Sequence, residues 1–444
     1  MSGQFQLLRQ RRFLPFFGTQ FLGAFNDNLF KNALVVLLTF QAAGWTTLDP
    51  GILANLAGGL FILPFFLFSA TAGQLADKYD KARLARLVKI LEMGIMAVAG
   101  AGFFLHSLGV LFGALFLLGC HSALFGPVKY AILPQHLEQN ELVGGNALVE
   151  AGTFVAILSG TLAGALLAGA SINPLWAALA GLLVAAAGYL CSRAIPPAPA
   201  PAPDLAINPN PLVETWRCIG LARSQATVFV AILGISWFWL YGALLLAQFP
   251  AYGRNVLGGR EATVSLLLAT FTVGIGLGSL LCEKLSRGRL ETGLILFGAL
   301  GLSLFGADLA LASPATLPPG APLALGPLLQ TPGTLRLLLD LLLLGTFGGF
   351  FIVPLYALMQ RDSPRHCRAR IVAANNILNA LFMVAGALGA AALLGAGLSI
   401  PRLFLAAALL NTLAALYLCR RAPGLWRACW RWLFSQAKSA PQES

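Results

Sequence analysis

IPPAPAPAPDLAINPNP, from Ile195 to Pro211, is the stretch that decides how this chain is read. Proline has no amide hydrogen and collides with the preceding helical turn. The run Pro196, Pro197, Pro199, Pro201, Pro203, Pro209 and Pro211 therefore stops a helix and predicts an extended, semi-rigid spacer. Before it lie six apolar segments, near 13–40, 50–76, 84–104, 107–134, 143–169 and 172–194. After it lie six more, near 226–250, 262–283, 290–313, 334–359, 371–395 and 401–419. A helix needs about 20 apolar residues to cross a bilayer. The expected fold is an all-α polytopic membrane protein with 12 transmembrane helices in two six-helix bundles, 1–195 and 226–421. A Pro-rich cytoplasmic linker, 196–225, joins them, and a cytoplasmic amphipathic tail, 422–444, with Trp426, Arg427, Trp430, Arg431 and Trp432, follows.

Composition agrees and excludes other classes. Of 444 residues, 58% are hydrophobic and 10% charged, against roughly 25% charged in soluble proteins. Seventeen acidic residues do not solvate a surface of this size, which rules out an ordinary cytosolic enzyme. The net charge of +12 forms no aromatic-interleaved basic patch, so no nucleic-acid partner is expected. Placing the N-terminus in the cytoplasm puts 23 of the 29 basic residues on that side, and both termini are expected there. Lys31 and Lys129 lie inside apolar segments. The seven cysteines show no close pairing and no metal-ligand spacing, and no metal or cofactor is expected. There is no phosphate-binding G-x₄-G-K-[ST] stretch. His136 and Glu141 give an H-x₄-E spacing reminiscent of an acyltransferase dyad, an imperfect match on a loop.

The two sets of six segments echo each other. GQLADKYDKAR, Gly73 to Arg83, follows the second segment, and SLLCEKLSRGR, Ser279 to Arg289, follows the eighth, placing Glu283 where Asp77 stood. PVKYAIL from Pro127 is echoed by VPLYALM from Val353, with the uncharged connector 314–333 accounting for the larger offset. Parallel repeats of this kind belong to transporters. GQLADKYDKAR resembles the loop signature of the major facilitator superfamily. Gly73 permits close helix approach, and Asp77, Lys78 and Arg83, with Glu283 in the second copy, are candidates for a conformational latch. The other reading is that these charges only fix topology.

The polar residues inside the spans are the candidate site. FNDNLFKNALVV, Phe25 to Val36, puts Asp27 roughly 21 Å along the first helix. An intramembrane charge is expensive, so it is read first as functional. Asn28, Lys31 and Asn32 share a face, and Asp27 reaches Lys31 at i+4 as a substrate group or a self-neutralised pair. Lys129 and Tyr130 lie near the end of the fourth span. Lys129 either snorkels to headgroups or points inward as a fixed cation. Asn146, Glu150 and Thr153 share a face of the fifth span, and in the second half Asn375, Asn376 and Asn379 lie at the corresponding place in the eleventh, without any charge. Glu92, Asp308 and Asp340 are either interhelical contacts or coupling sites, and His106, His121 and His366 are read as structural.

Three strings, GAFNDNLFKNALV, GPVKYAILPQ with GGNALVEAGTFVAILSGTLAG, and GGFFIVPLYALMQ, resemble the bacterial lysophospholipid transporter family of that superfamily, over essentially the whole chain. They resemble especially the form that in some bacteria precedes acyltransferase and acyl-ACP synthetase domains in one polypeptide. The sequence to Ser444 is expected to carry neither. The resemblance implies a monomeric, multi-pass inner-membrane transporter, not an enzyme. It would flip lysophosphatidylethanolamine and lysophosphatidylglycerol from outer to inner leaflet for reacylation by a cytoplasmic acyltransferase or acyl-ACP synthetase. It implies that Asp27, Asn28 and Lys129 line the polar pathway. One departure is the seventh span, where the family pattern has an arginine. SWFWLYGALLLAQFP, Ser236 to Pro250, offers Tyr241 and Gln248 instead, so either headgroup preference differs or another cation such as Lys31 takes over. Phosphate would meet Lys129 and Lys31, ethanolammonium would meet Asp27 and Glu150, and glycerol would meet Asn28, Asn32 and Asn146. The rivals are an ion-coupled antiporter of amphipathic drugs or small solutes, with Asp27 or Asp308 carrying the proton, and a membrane acyltransferase or its scaffold.

Overall fold

The computed structural model describes residues 3–40, 46, 50–169, 173–314 and 322–438. Residues 315–321 of the expected connector and 439–444 of the expected tail lie outside the described residues. Among the described residues every regular element is a helix. The first six spans are α1 (Leu14–Phe40), α2 (Pro50–Lys78), α3 (Lys81–Phe104), α4 (Leu108–His136), α5 (Leu142–Leu167) and α6 (Leu175–Arg193). A short α7 (Pro211–Arg223) precedes α8 (Ala226–Asn255), α9 (Glu261–Ser286) and α10 (Gly293–Leu311). After α11 (Leu325–Gln330) come α12 (Thr334–Asp362), α13 (Arg368–Gly395), α14 (Ile400–Arg421) and α15 (Gly424–Lys438). Eleven of these, α2–α6, α8–α10 and α12–α14, are long and apolar enough to cross a membrane. At 27 residues α1 matches them in length, and its polar run from Asn26 to Asn32 is what lowers its hydropathy.

Two compact units emerge. The first comprises Met1–Gln139, Gly152–Gln225 and Ser363–Ala380, and the second comprises Asn140–Ala151, Ala226–Asp362 and Leu381–Ser444. In the first, α3 packs on α4 and α6, α1 on α6, and α2 on α4. Their shared core includes Phe30, Leu34, Leu37, Ile95, Met96, Phe103, Leu115 and Leu118, with Phe30 and Phe103 edge to face at 6.0 Å. In the second unit α9 lies against α12. A Cβ on Gly274 or Gly278 would meet the carbonyl of Leu342 or Thr346, and one on Gly345 or Gly349 would meet the α9 backbone. Lipid offers no hydrophobic drive for helices to associate, so backbone approach through such small residues supplies the packing.

The proline-rich stretch is extended over its first part and then changes character. Pro211 stands at the first turn of α7, where its missing amide hydrogen leaves no bond unmade. Asn210 caps that helix by accepting from the backbone amides of Leu212 and Val213 at 3.0 and 3.2 Å. The proline that reads as a breaker therefore starts a helix. Asn210→Ala is expected to lower stability by about 1 kcal/mol, seen as a small fall in thermal midpoint that Asn210→Asp does not show. The extended part is strapped to the α2–α3 turn: Ala198 donates to Asp80 at 2.8 Å and accepts from the Lys81 amide at 3.0 Å. Gln74 exchanges two hydrogen bonds with the Asn208 backbone.

All seven cysteines are unbridged. Cys218 is buried on α7, and burial pushes its thiol well above the usual range, so it stays protonated. In the second unit α15 is amphipathic. Leu425, Cys429 and Trp432 are buried, Trp432 donates to the Leu285 carbonyl at 3.3 Å, and Trp426, Trp430 and Phe434 are exposed.

Candidate functional site

The polar run of α1 faces α3 and α4 inside the first unit, and it meets charges there. Lys89 and Glu92, one turn apart on α3 and both fully buried, are 2.6 Å apart. Asn26 donates to the other Glu92 oxygen at 2.7 Å, and His121 Nε2 on α4 stands 3.1 Å from Glu92. The second ring nitrogen of His121 is 3.9 Å from Asp27, whose other oxygen accepts from Ser122 at 2.5 Å. Asp27 thus belongs to a run of neighbouring polar groups, Lys89–Glu92–His121–Asp27–Ser122, that crosses three helices, in which His121 stands near both carboxylates with neither ring nitrogen hydrogen-bonded among the described residues. The i+4 spacing to Lys31 allowed a different partner, yet the Lys31 ammonium lies over the Phe61 ring at 5.4 Å from its centroid. Among the described residues these two form no ion pair.

Asn28 and Asn32 turn back onto their own helix. Asn28 donates to the Ala24 carbonyl at 2.8 Å, and Asn32 donates to the Asn28 carbonyl at 2.9 Å and to Thr161 at 3.1 Å. Such i−4 bonds satisfy an amide inside an apolar span while leaving its oxygen as an acceptor. α4 runs unbroken through Pro127 and Pro134, and Lys129 projects from it to donate to Thr153 at 2.8 Å, which in turn donates to Gln20 at 3.1 Å. The ammonium also lies over the Tyr130 ring at 5.0 Å. Lys129 is therefore turned onto α5 and α1 and does not snorkel along its own helix. On α13, in the same unit, Asn375 is fully buried with neither amide atom hydrogen-bonded among the described residues.

The shared face expected on α5 divides along the chain. Thr153 belongs to the first unit and holds Lys129, whereas Asn146 and Glu150 belong to the second. There Asn146 and Gln360 exchange two hydrogen bonds at 2.8 and 2.9 Å, and Asn146 also donates to the Leu142 carbonyl. Its amide is fully engaged by protein. Glu150 is fully buried. Tyr241 on α8 is also buried and donates to the Leu302 carbonyl at 3.3 Å. Other polar groups of α8 include the indole nitrogens of Trp237, donating to Asn411 at 2.8 Å, and Trp239, donating to Tyr356 at 3.0 Å. Asp308 forms a two-point pair with Arg336, which is largely exposed.

The loop signature gains a partner that the sequence did not reveal. Asp77, fully buried, accepts from the backbone amide of Ala369 at 3.0 Å and from the amide and Nε of Arg370 at 3.3 and 3.1 Å. It caps the first turn of α13 and pairs with its arginine. Gly73 lies one turn before it. A Cβ there would sit 2.8 Å from the Ala373 Cβ and 2.9 Å from the Arg370 Cα, so a side chain would push α13 away. Lys78 does not join them, because it donates to the Leu205 carbonyl of the linker at 2.8 Å. The Arg83 side chain is exposed. Glu283, half-buried in the second unit, makes no side-chain hydrogen bond among the described residues, so the faint second copy holds nothing comparable.

The family model described as Major Facilitator Superfamily matches residues 16–387. A lysophospholipid transporter LplT of Klebsiella pneumoniae subsp. pneumoniae is 32% identical over 348 residues, 77% of this chain and 78% of that protein. The protein of the same name from Serratia proteamaculans is 29% identical over 360 residues, 80% of this chain and 81% of its own. Among solved structures, the major facilitator superfamily transporter FucP in the outward conformation matches with a TM-score of 0.68 at 13% identity. That match covers 93% of this chain and all of FucP, a likeness of fold alone.

Proposed function

We infer that this chain, which belongs to the major facilitator superfamily and is a secondary membrane transporter and not an enzyme, carries lysophospholipids. The observation that carries the reading is the 32% identity to a named lysophospholipid transporter over three quarters of both chains. The site is compatible in its chemistry. Lys129 offers a cation to a phosphate, and Asp27, 15% exposed, offers a carboxylate to an ethanolammonium. The oxygens of Asn28 and Asn32 offer acceptors to glycerol. Lysolipid would pass from outer to inner leaflet of the bacterial inner membrane, with the termini in the cytoplasm and a cytoplasmic acyltransferase or acyl-ACP synthetase consuming the product. Access would alternate by movement of the six-helix halves 1–195 and 226–421, with Gly73, Asp77 and Arg370 as the latch.

Reconstituted protein is expected to take up labelled lysophosphatidylethanolamine, and Lys129→Ala and Asp27→Ala are each expected to slow uptake at least tenfold without loss of folded protein. Wild-type uptake by both variants would overturn the assigned site. Uptake of a soluble amphipathic drug instead of the lysolipid would favour the antiporter reading.

A further inference from the structure

Where α3 begins and α4 ends, the first unit carries a half-open cavity of about 490 Å³ that the transport reading does not use. Small-molecule pockets run from roughly 300 to 1,000 Å³. Its wall carries Lys81, Arg365, Arg368 and Gln135, with Pro199 and Pro201 of the linker closing it. Among the described residues no carboxylate lines it.

Lys81 is 1% exposed, and its ammonium has no hydrogen-bond partner among the described residues. Arg368 is 9% exposed. One of its nitrogens donates to the Ser363 carbonyl at 3.1 Å, while its Nε is likewise without a partner. Asp77 and Asp80 attract Lys81 only from beyond hydrogen-bond distance, their oxygens being held by the amides of Ala369 and Arg370 and by those of Arg83 and Ala198. A buried ammonium without a hydrogen-bond partner, beside two guanidiniums, is unfavourable, and an anion joining the three would relieve it. Three cations with several donors each suit the oxygens of a phosphate, which guanidinium binds two at a time.

We propose that this cavity is a phosphate-binding site, separate from the transport pathway, that takes the phosphate of an anionic phospholipid or of a soluble phosphate ester. The inference does not depend on what the protein transports. An occupant would join the linker, the start of α3 and the first turn of α13. Arg368 adjoins Ala369 and Arg370, whose amides hold Asp77, so occupancy would also steady the latch.

The test uses full-length protein purified in a neutral detergent and stripped of lipid. In one arm inorganic phosphate and glycerol 3-phosphate are titrated. In the other phosphatidylglycerol is titrated, with diacylglycerol, which lacks the phosphate, as control. Thermal midpoint and native mass spectrometry are the readouts. A rise in midpoint with a bound adduct is expected in at least one arm, and which arm responds identifies the source. Lys81→Met, Arg368→Gln and the surface variant Arg365→Gln are each expected to weaken binding at least tenfold, and Arg402→Gln is expected to leave it unchanged. Without ligand, Lys81→Met is expected to melt no lower than wild type, since it replaces an unpaired buried charge by an apolar chain of similar length. No binding in either arm, or binding unchanged in all three cavity variants, would overturn the proposal.

Discussion

Glu92→Gln is expected to destabilise the protein by about 3–5 kcal/mol, the range for stranding a buried charge. Lys89 is fully buried, and Glu92 is its only ion-pair partner among the described residues. A glutamine keeps the size and an acceptor for Asn26, but it leaves the ammonium uncompensated where lipid and protein replace water. The fall should appear as a much lower thermal midpoint in detergent and poor recovery of folded protein from membranes. Replacing the lysine as well, Lys89→Met with Glu92→Gln, should recover most of the loss, because no buried charge is then stranded and the glutamine still accepts from Asn26. Equal midpoints for Glu92→Gln and wild type would show that water reaches the cluster and solvates Lys89.

Asp77→Ala is expected to reduce uptake at least tenfold and to lower stability by about 3 kcal/mol. Two functions disappear together, because Asp77 caps α13 through two backbone amides and also neutralises Arg370. The exchange Asp77→Arg with Arg370→Asp therefore should not restore uptake. It rebuilds the ion pair, but the amides of residues 369 and 370 lose their acceptor and meet a positive charge at the positive end of a helix. Arg370→Ala alone keeps the cap and should be the milder change. Uptake assays and melts on the three variants check the order; full rescue by the exchange would reduce Asp77 to a simple ion-pair partner.

The spans were legible because length and apolarity are local properties. The short α7 was hidden, because a proline reads as a breaker until Asn210 is seen capping the turn that Pro211 begins. Asp77 was legible as a residue and not as a contact. Its partner Arg370 lies 293 positions away, and no spacing rule reaches that far. The pairing of Asp27 with Lys31 was a fair inference from i+4 geometry, which says that two side chains can meet and not that they do. His121 and Ser122, 94 and 95 residues further on, compete for the same carboxylate, and Lys31 settles on Phe61. The sequence reads Glu92 as an interhelical contact or a coupling site and His121 as structural; only the packing of α1, α3 and α4 shows that they belong to one cluster.

The separation of Asp77 from its cap also bears on how the protein is made. Ribosomes add about 5–20 residues each second. Asp77 is therefore synthesised roughly 15–60 s before the amides of α13 exist to receive it. Its carboxylate must wait at the membrane surface, solvated by water and headgroups, while α4 to α12 are inserted. The first compact unit cannot close until residues 363–380 leave the ribosome. A nascent chain stalled within α12 is a membrane-inserted intermediate whose Asp77 carboxylate is still uncapped, the species a quality-control protease would meet.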